Sequence, residues 1–329
     1  MKIFIITLFF PLLVFSQKNY KKTLKLMGCK FDITVVANSQ TIADKTIKLA
    51  VSEISRIEKL ISSWDENSET SLINKNAGIK AVSVSNELIQ LIERSLSISK
   101  LTSGAFDISY ASMDKIWKFD GSMQKIPSKK EIQNSVSKVG FENIILDKNK
   151  QTVFLKNKDM KIGFGAIGKG YAADRAKKIL ISNGVSGGII NASGDLNAWG
   201  TQANGDDWKV AITNPLNKKK AFSWMPIRNS AVVTSGNYEK FVEFDNVKYT
   251  HIIDPRTGYP STGIQSVTVF TKNAELADAL STSLFVMGIE TGLDFINQLK
   301  GVECVFIDTD NKIHNSLNIT FNDISNVKK

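Results

Sequence analysis

The chain has 329 residues, a formal net charge of +10 and 42% hydrophobic residues. That much apolar material builds a real core and excludes a disordered chain, and the length fits one large domain or two intimately joined ones. The basic surplus is scattered, with short clusters at Lys129-Lys130 and Lys218-Lys219-Lys220 and no nucleic-acid-binding signature beside them; it reads as a solvated basic surface rather than a nucleic-acid site, and its field would still help to hold a phosphorylated ligand.

Residues 1–16 stand apart. Lys2 precedes an apolar run, Ile3 to Phe15, that ends at Ser16-Gln17. As a helix this run spans about 20 Å against roughly 30 Å of bilayer hydrocarbon, too short for an anchor and suited to a secretory signal. The expectation is an exported protein, periplasmic or on the outer face of the cytoplasmic membrane, with no transmembrane segment in the mature chain. Residues 17–329 are expected to form a single domain, at most two intertwined subdomains. Cys29 lies too far from Ser16 for a lipid anchor. Cys29 and Cys304 are too few for a disulfide framework, and their apolar, strand-like surroundings favour free buried thiols.

In chain order, residues 23–37 alternate as a strand pair broken at Met27-Gly28, and residues 42–61 carry Ile47, Ala50, Val51, Ile54, Ile57 and Ile61 at helical spacing. Ser62-Ser63-Trp64-Asp65 ends that helix, and 66–78 reads as a polar loop. A helix is predicted over 86–101, with short strands at 143–147 and 152–156. Another helix runs from Tyr171 to Asn183 and ends at Gly184. Strands are predicted at 187–191, 207–213, 231–234, 247–253, 264–271 and 302–307, with helices at 274–287 and 290–299. Helices alternating with hairpin-rich strands give an α+β class.

Several constellations could carry chemistry. His251-Ile-Ile-Asp-Pro-Arg-Thr-Gly-Tyr-Pro260 lifts one of only two histidines from a strand end onto a rigid loop; a packed strand histidine is the plainer reading. On a helix, Asp278 and Thr282 lie four residues apart on one face and would offer two hard oxygen ligands to Mg²⁺, or else an N-terminal carboxylate and a hydroxyl bonded to its own turn. The glycine run Gly163 to Gly170, with Lys169, would expose N–H groups to an anion or serve close packing. It lacks the ending of a P-loop. Thr234-Ser-Gly-Asn-Tyr238 is a strand running into a turn, better suited to contact a phosphate or ribose than to supply a nucleophile.

Taken together and in order, these segments resemble the ApbE family of FAD:protein FMN transferases. The resemblance rests on Met27-Gly28, Ser63-Trp64, Ser68-Glu-Thr-Ser-Leu-Ile-Asn74, Gly104-Ala-Phe-Asp107, Gly165-Ala-Ile-Gly-Lys-Gly-Tyr-Ala-Ala-Asp174, Asn191-Ala-Ser-Gly-Asp195, Thr234 to Tyr238, His251 to Pro260 and Ala277 to Thr282. It implies a T-fold-like α+β architecture, sheets mixed with packed helices, and an active site between two subdomains. It implies Mg²⁺-dependent transfer of FMN from FAD to a Thr hydroxyl of an acceptor flavoprotein that carries an Asp-x-x-Ser/Thr-Gly-Ala-Thr-like motif, with AMP released. Carried over residue by residue, the metal ligands are the carbonyl of Ala166 and the side chains of Asp278 and Thr282. FAD is contacted by Met27, Trp64, Ala105, Phe106, Asp107, Lys169 and His251, and His251 is also the base. Two positions depart from the family pattern: Gly163 stands where Asp is usual, and Ser193 where Gly is usual. Two rival expectations remain: a Mg²⁺-dependent FAD pyrophosphatase giving FMN and AMP, and an exported flavin-binding protein without turnover.

Overall fold

The computed structural model describes residues 16–214, 217–236 and 241–319. Apart from Ser16, the expected export signal lies outside the described residues, as do Asn237, Tyr238 and residues 320–329. The chain enters through β1 (Lys18–Leu26) and β2 (Cys29–Ala37), an antiparallel pair joined by Met27-Gly28. Both turn residues have positive φ, 49° and 72°, the geometry of a tight hairpin whose twist matches its strands. Pairing starts at Lys18, earlier than the alternation indicates. β1 is an edge strand that keeps most of its lysines in water, which weakens the apolar signal.

Helix α1 (Gln40–Ile61) buries Ile47, Ala50, Ile54, Ile57 and Ile61 of the expected stripe, with Ala43 besides and Val51 only half buried, and Ser39 caps it by accepting the Ile42 N–H at 3.3 Å. The stretch read as a loop, 66–78, contains α2 (Glu69–Lys75). Only Thr70 and Ile73 of that helix are buried, too few for a periodic signal, and its start is set by the Ser71 N–H donating to Ser68 Oγ at 2.9 Å. Next come β3 (Val82–Ser83) and α3 (Asn86–Leu101), the latter with its predicted bounds. A 3-10 turn at Ile108–Ser112 follows, then α4 (Lys129–Ser135), β4 (Ile144–Asp147) and β5 (Thr152–Leu155), and β5 pairs with both β3 and β4 in a small sheet.

Beyond these lie α5 (Gly168–Ser182), β6 (Gly188–Ala192), β7 (Asp195–Trp199), β8 (Trp208–Asn214), β9 (Asn217–Ile227) and β10 (Ala231–Gly236). The hairpin β11 (Phe241–Phe244) and β12 (Val247–Thr250) precedes β13 (Ile264–Thr271), α6 (Ala274–Met287), α7 (Ile289–Ile296), β14 (Glu303–Asp308) and β15 (Ile313–Asn315). The predicted strand 247–253 stops at Thr250, because the Asp254-Pro255 turn folds Ile253 back onto Pro260.

An eight-stranded sheet, in the order β1-β2-β6-β7-β10-β13-β14-β15, forms the frame, and all its neighbouring pairs are antiparallel. The class is α+β, as expected. Side-chain alternation divides the two faces. On β10, Ala231 and Val233 join the main core under the helices, while Val232 joins a second cluster with Val36, Ala198, Trp208, Val210 and Ile227 beneath the β8–β9 hairpin. Both cysteines are free; burial pushes the Cys304 thiol up to about 12, while Cys29 is only half buried. Among the described residues no helix is long and apolar enough to cross a membrane.

Two devices lock α5 against α6. Asp174 on α5 caps its neighbour, accepting the Ala274 and Glu275 N–H groups at 3.1 and 2.9 Å and the Asn197 amide at 2.6 Å. Gly170 lets the helices meet, since a Cβ there would overlap the Ala274 carbonyl. Gly170→Ala should therefore force the pair apart and cost about 1–3 kcal/mol in denaturant unfolding. An unchanged midpoint would contradict this account of the packing.

Candidate active site

A cavity of about 550 Å³ opens where the sheet frame meets the loops, within the size range of small-molecule sites. Asp278, Thr282 and Val286 line it from successive turns of α6; Gly165 and Ala166 come from the turn before α5 and Lys169 from its first turn, and Thr234, Ser235 and Gly236 from the end of β10. The far wall is the segment from Ala105 to Phe119, and the loop His251–Pro255 closes the mouth.

The centre is a buried charge cluster. The Lys169 ammonium makes a direct ion pair with Asp195 and lies 3.7 Å from Asp278 Oδ1. Both carboxylates are buried, at 3% residue exposure each. Burial works against the lysine's charge, but Asp278 and Asp195 outweigh it and hold its pKa above the usual lysine value. Burial raises the Asp195 carboxyl in turn, and Asp278 adds to that, against the pull of Lys169. Two carboxylates thus converge on one ammonium, leaving negative charge beside the cavity.

Much of the glycine run spends its N–H groups on the protein itself. The Ile167 and Gly168 N–H groups donate to the Phe164 carbonyl, the Gly163 N–H to the Ile108 carbonyl, and the Gly170 N–H to Asp278 Oδ2 at 3.0 Å. Close packing explains the glycines: a Cβ would meet Tyr110 Oη at 2.5 Å from Gly165 and Ile61 Cδ1 at 2.7 Å from Gly168. This packing also explains why α5 begins at Gly168 rather than at Tyr171. One consequence is chemical. In a regular helix the Gly170 N–H would bond the carbonyl four residues back, which is that of Ala166. Because it turns to Asp278, that carbonyl is relieved of its helical partner. Ala166, Asp278 and Thr282 thus all line the cavity and carry hard oxygen donors, a set whose chemistry fits a small hard cation. Among the described residues no group of three or more His, Cys, Asp and Glu side chains stands together, so a softer metal cage is not built here.

His251 follows β12 directly, is exposed, and borders the cavity. Its loop is firmly held. The Asp254 N–H donates to the Tyr259 carbonyl at 2.9 Å and the Gly258 N–H to the Asp254 carbonyl at 2.8 Å. Arg256 forks onto the Asp254 carboxylate at 2.9 and 2.8 Å. Trp117 Nε1 donates to the Gly258 carbonyl at 2.9 Å, while its ring stacks on Tyr249 at 5.7 Å. The other histidine, His314, bonds Asp308 at 2.8 Å on the edge of the sheet.

Not every predicted contact faces the cavity. Ala105, Phe106 and Asp107 line it, but Phe106 is a core side chain at 2% exposure. The Asp107 carboxylate caps the 3-10 turn, accepting the Ser109 and Phe141 N–H groups at 2.7 and 2.9 Å; burial raises its pKa against those bonds. Met27 and Trp64 do not line the cavity. Met27 occupies the β1–β2 turn, where its N–H donates to Glu58 Oε2 at 3.0 Å. Trp64 is 85% exposed beneath the ammonium of Lys115, 4.9 Å from the ring centre, and Lys115 borders the cavity. Sequence reasoning missed Tyr110, Lys115 and Trp117, which lie in a stretch without periodicity, and gave Asp195 no role although it closes a recognised motif.

The family model for the ApbE family matches residues 27–306. The chain belongs to the ApbE family. An ApbE-family relative from Treponema pallidum (strain Nichols), named FAD:protein FMN transferase, is 30% identical over 277 residues, covering 80% of this chain and 76% of that protein. One of the same name from Klebsiella pneumoniae (strain 342) is 29% identical over 294 residues, covering 89% and 90%. The crystal structure of the ApbE protein from Thermotoga maritima MSB8 superposes with a TM-score of 0.81 at 30% identity, covering 91% of this chain and 97% of that one. The apo flavinyl transferase ApbE of Pseudomonas stutzeri matches with the same TM-score at 24% identity, a likeness of fold. Gly163, the first departure from the ApbE pattern, packs against Ala111, which lines the cavity: a Cβ at Gly163 would meet Ala111 Cβ at 3.1 Å. The second departure, Ser193, fills a turn position of φ 53° and holds it by accepting the Lys30 N–H at 3.1 Å.

Proposed function

We propose that this protein is a Mg²⁺-dependent FAD:protein FMN transferase that moves FMN from FAD to a Thr hydroxyl of an acceptor flavoprotein and releases AMP. The observation that carries the reading is that one cavity gathers a half-buried lysine, three residues with hard oxygen donors and an exposed histidine in a chain of this family. Lys169 holds the negative pyrophosphate oxygens of FAD, and the hydroxyls of Thr234 and Ser235 offer further donors at the same wall. Ala166, Asp278 and Thr282 would hold Mg²⁺, which when bound neutralises charge on those oxygens. The acceptor Thr oxygen attacks the phosphorus on the FMN side, the bond to the AMP phosphate breaks, and AMP leaves. His251 takes the Thr proton at an imidazole nitrogen as the new phosphoester forms. Its exposure at the mouth matches an acceptor that is itself a protein.

Incubation with FAD and Mg²⁺, with and without an acceptor carrying the Asp-x-x-Ser/Thr-Gly-Ala-Thr-like motif, tests this reading. AMP release that depends on the acceptor supports transfer. Equal release without it would make the protein an FAD pyrophosphatase, and tight FAD binding with no AMP a flavin carrier.

Export belongs to the same proposal, on the evidence of Lys2, the short apolar run and Ser16. The mature protein is expected to begin at Gln17 or shortly after and to reside outside the cytoplasmic membrane. N-terminal sequencing checks this; an intact Met1 on protein recovered from the cytoplasm would contradict it.

A further inference from the structure

Asp195 is buried, paired with Lys169 and not among the residues that line the cavity. It is firmly placed. It opens β7 after a turn in which Ser193 and Gly194 both have positive φ, 53° and 106°. The Ser193 N–H donates to the Lys30 carbonyl at 2.9 Å, and the Gly194 N–H donates to Asn191 Oδ1 at 2.8 Å. A buried carboxylate is tolerated only with a partner, and here that partner is Lys169. Lysine is a point charge on a flexible four-carbon stem and follows whichever anion is nearest. Its other anion is Asp278, 3.7 Å away.

We propose that Asp195 is a positioning residue that holds the Lys169 ammonium off Asp278, keeping the Asp278 carboxylate open to a divalent cation and the lysine aimed into the cavity. The inference rests on reading Asp278 as a cation ligand. Once Asp195 loses its charge, the ammonium closes on Asp278 and competes with the metal for the same oxygens. Asp195 thereby acts on the metal site without touching it.

The test uses Mn²⁺ as a probe of the hard-oxygen site, its binding to the full chain followed by electron paramagnetic resonance. Asp195→Asn, confirmed as folded by cooperative thermal unfolding, is expected to weaken Mn²⁺ binding by about 10–100-fold, the scale on which an adjacent opposite charge shifts a carboxylate equilibrium. Adding Lys169→Met in that background is expected to restore the affinity, because the competitor is gone. A loss that persists in the double variant would make Asp195 merely structural and overturn the proposal. Lys169→Met alone, which does not depend on Asp195→Asn folding, is expected to bind Mn²⁺ at least as tightly as the wild type; weaker binding would also overturn it. Unchanged binding in Asp195→Asn overturns the positioning role and leaves the cation site standing. Wild-type protein whose Mn²⁺ uptake is absent, or insensitive to Asp278→Ala, overturns the cation site itself and the proposal with it.

Discussion

Asp278→Asn should lower turnover by at least about a hundredfold while the protein stays folded. The side chain is buried on the cavity side of α6, and its Oδ2 accepts the Gly170 N–H at 3.0 Å. Asn keeps the volume and an oxygen for that bond, so α5 and α6 should remain docked. What it removes is the charge that a hard cation requires, and losing one key electrostatic contact to a developing charge costs about 10²–10³ in rate. The variant should need far more Mg²⁺ to reach its residual rate. Wild-type rate and wild-type Mg²⁺ dependence in Asp278→Asn would end the assignment.

His251→Ala should separate chemistry from binding. The residue is exposed on a loop held by Trp117 and by the Asp254–Arg256 fork, so its loss should leave the fold intact. If the imidazole takes the acceptor proton, transfer should fall by about 10²–10⁴, with Mg²⁺ binding kept and most FAD affinity preserved. The wild-type rate should also fall towards acid pH, because a protonated ring cannot accept the proton. A residue that only contacts the flavin would behave otherwise: affinity would drop, and saturating FAD would restore the rate.

The elements most legible in the sequence are those whose burial is periodic over several turns or residues. The 86–101 and 274–287 helices and the 264–271 strand carry such patterns and have the predicted bounds. α2 and α4 are short, and their signals lie in caps rather than in periodicity. The reciprocal Ser128–Glu131 capping box was written in the sequence and could have revealed α4. The β11 strand, with a mostly exposed pattern, gave no apolar alternation to read.

At the site, motif order led to Lys169, His251, Asp278 and Thr282, which line one cavity although they are far apart in the chain. The partners of those residues were not legible. Asp195 meets Lys169, and Gly170 turns its N–H to Asp278, only because the sheet and the α5–α6 contact bring them together. The glycine run was ambiguous for the same reason. Whether its N–H groups face an anion or a carbonyl depends on where Phe164 and Ile108 lie, which is a tertiary fact.

The most direct test of the central claim is the intact mass of an acceptor protein after incubation with this enzyme, FAD and Mg²⁺. The account predicts a gain of one FMN, located on the Thr of the flavinylation motif and matched by an equimolar release of AMP. An acceptor that stays unmodified at saturating FAD and Mg²⁺, whether or not AMP accumulates, would contradict it.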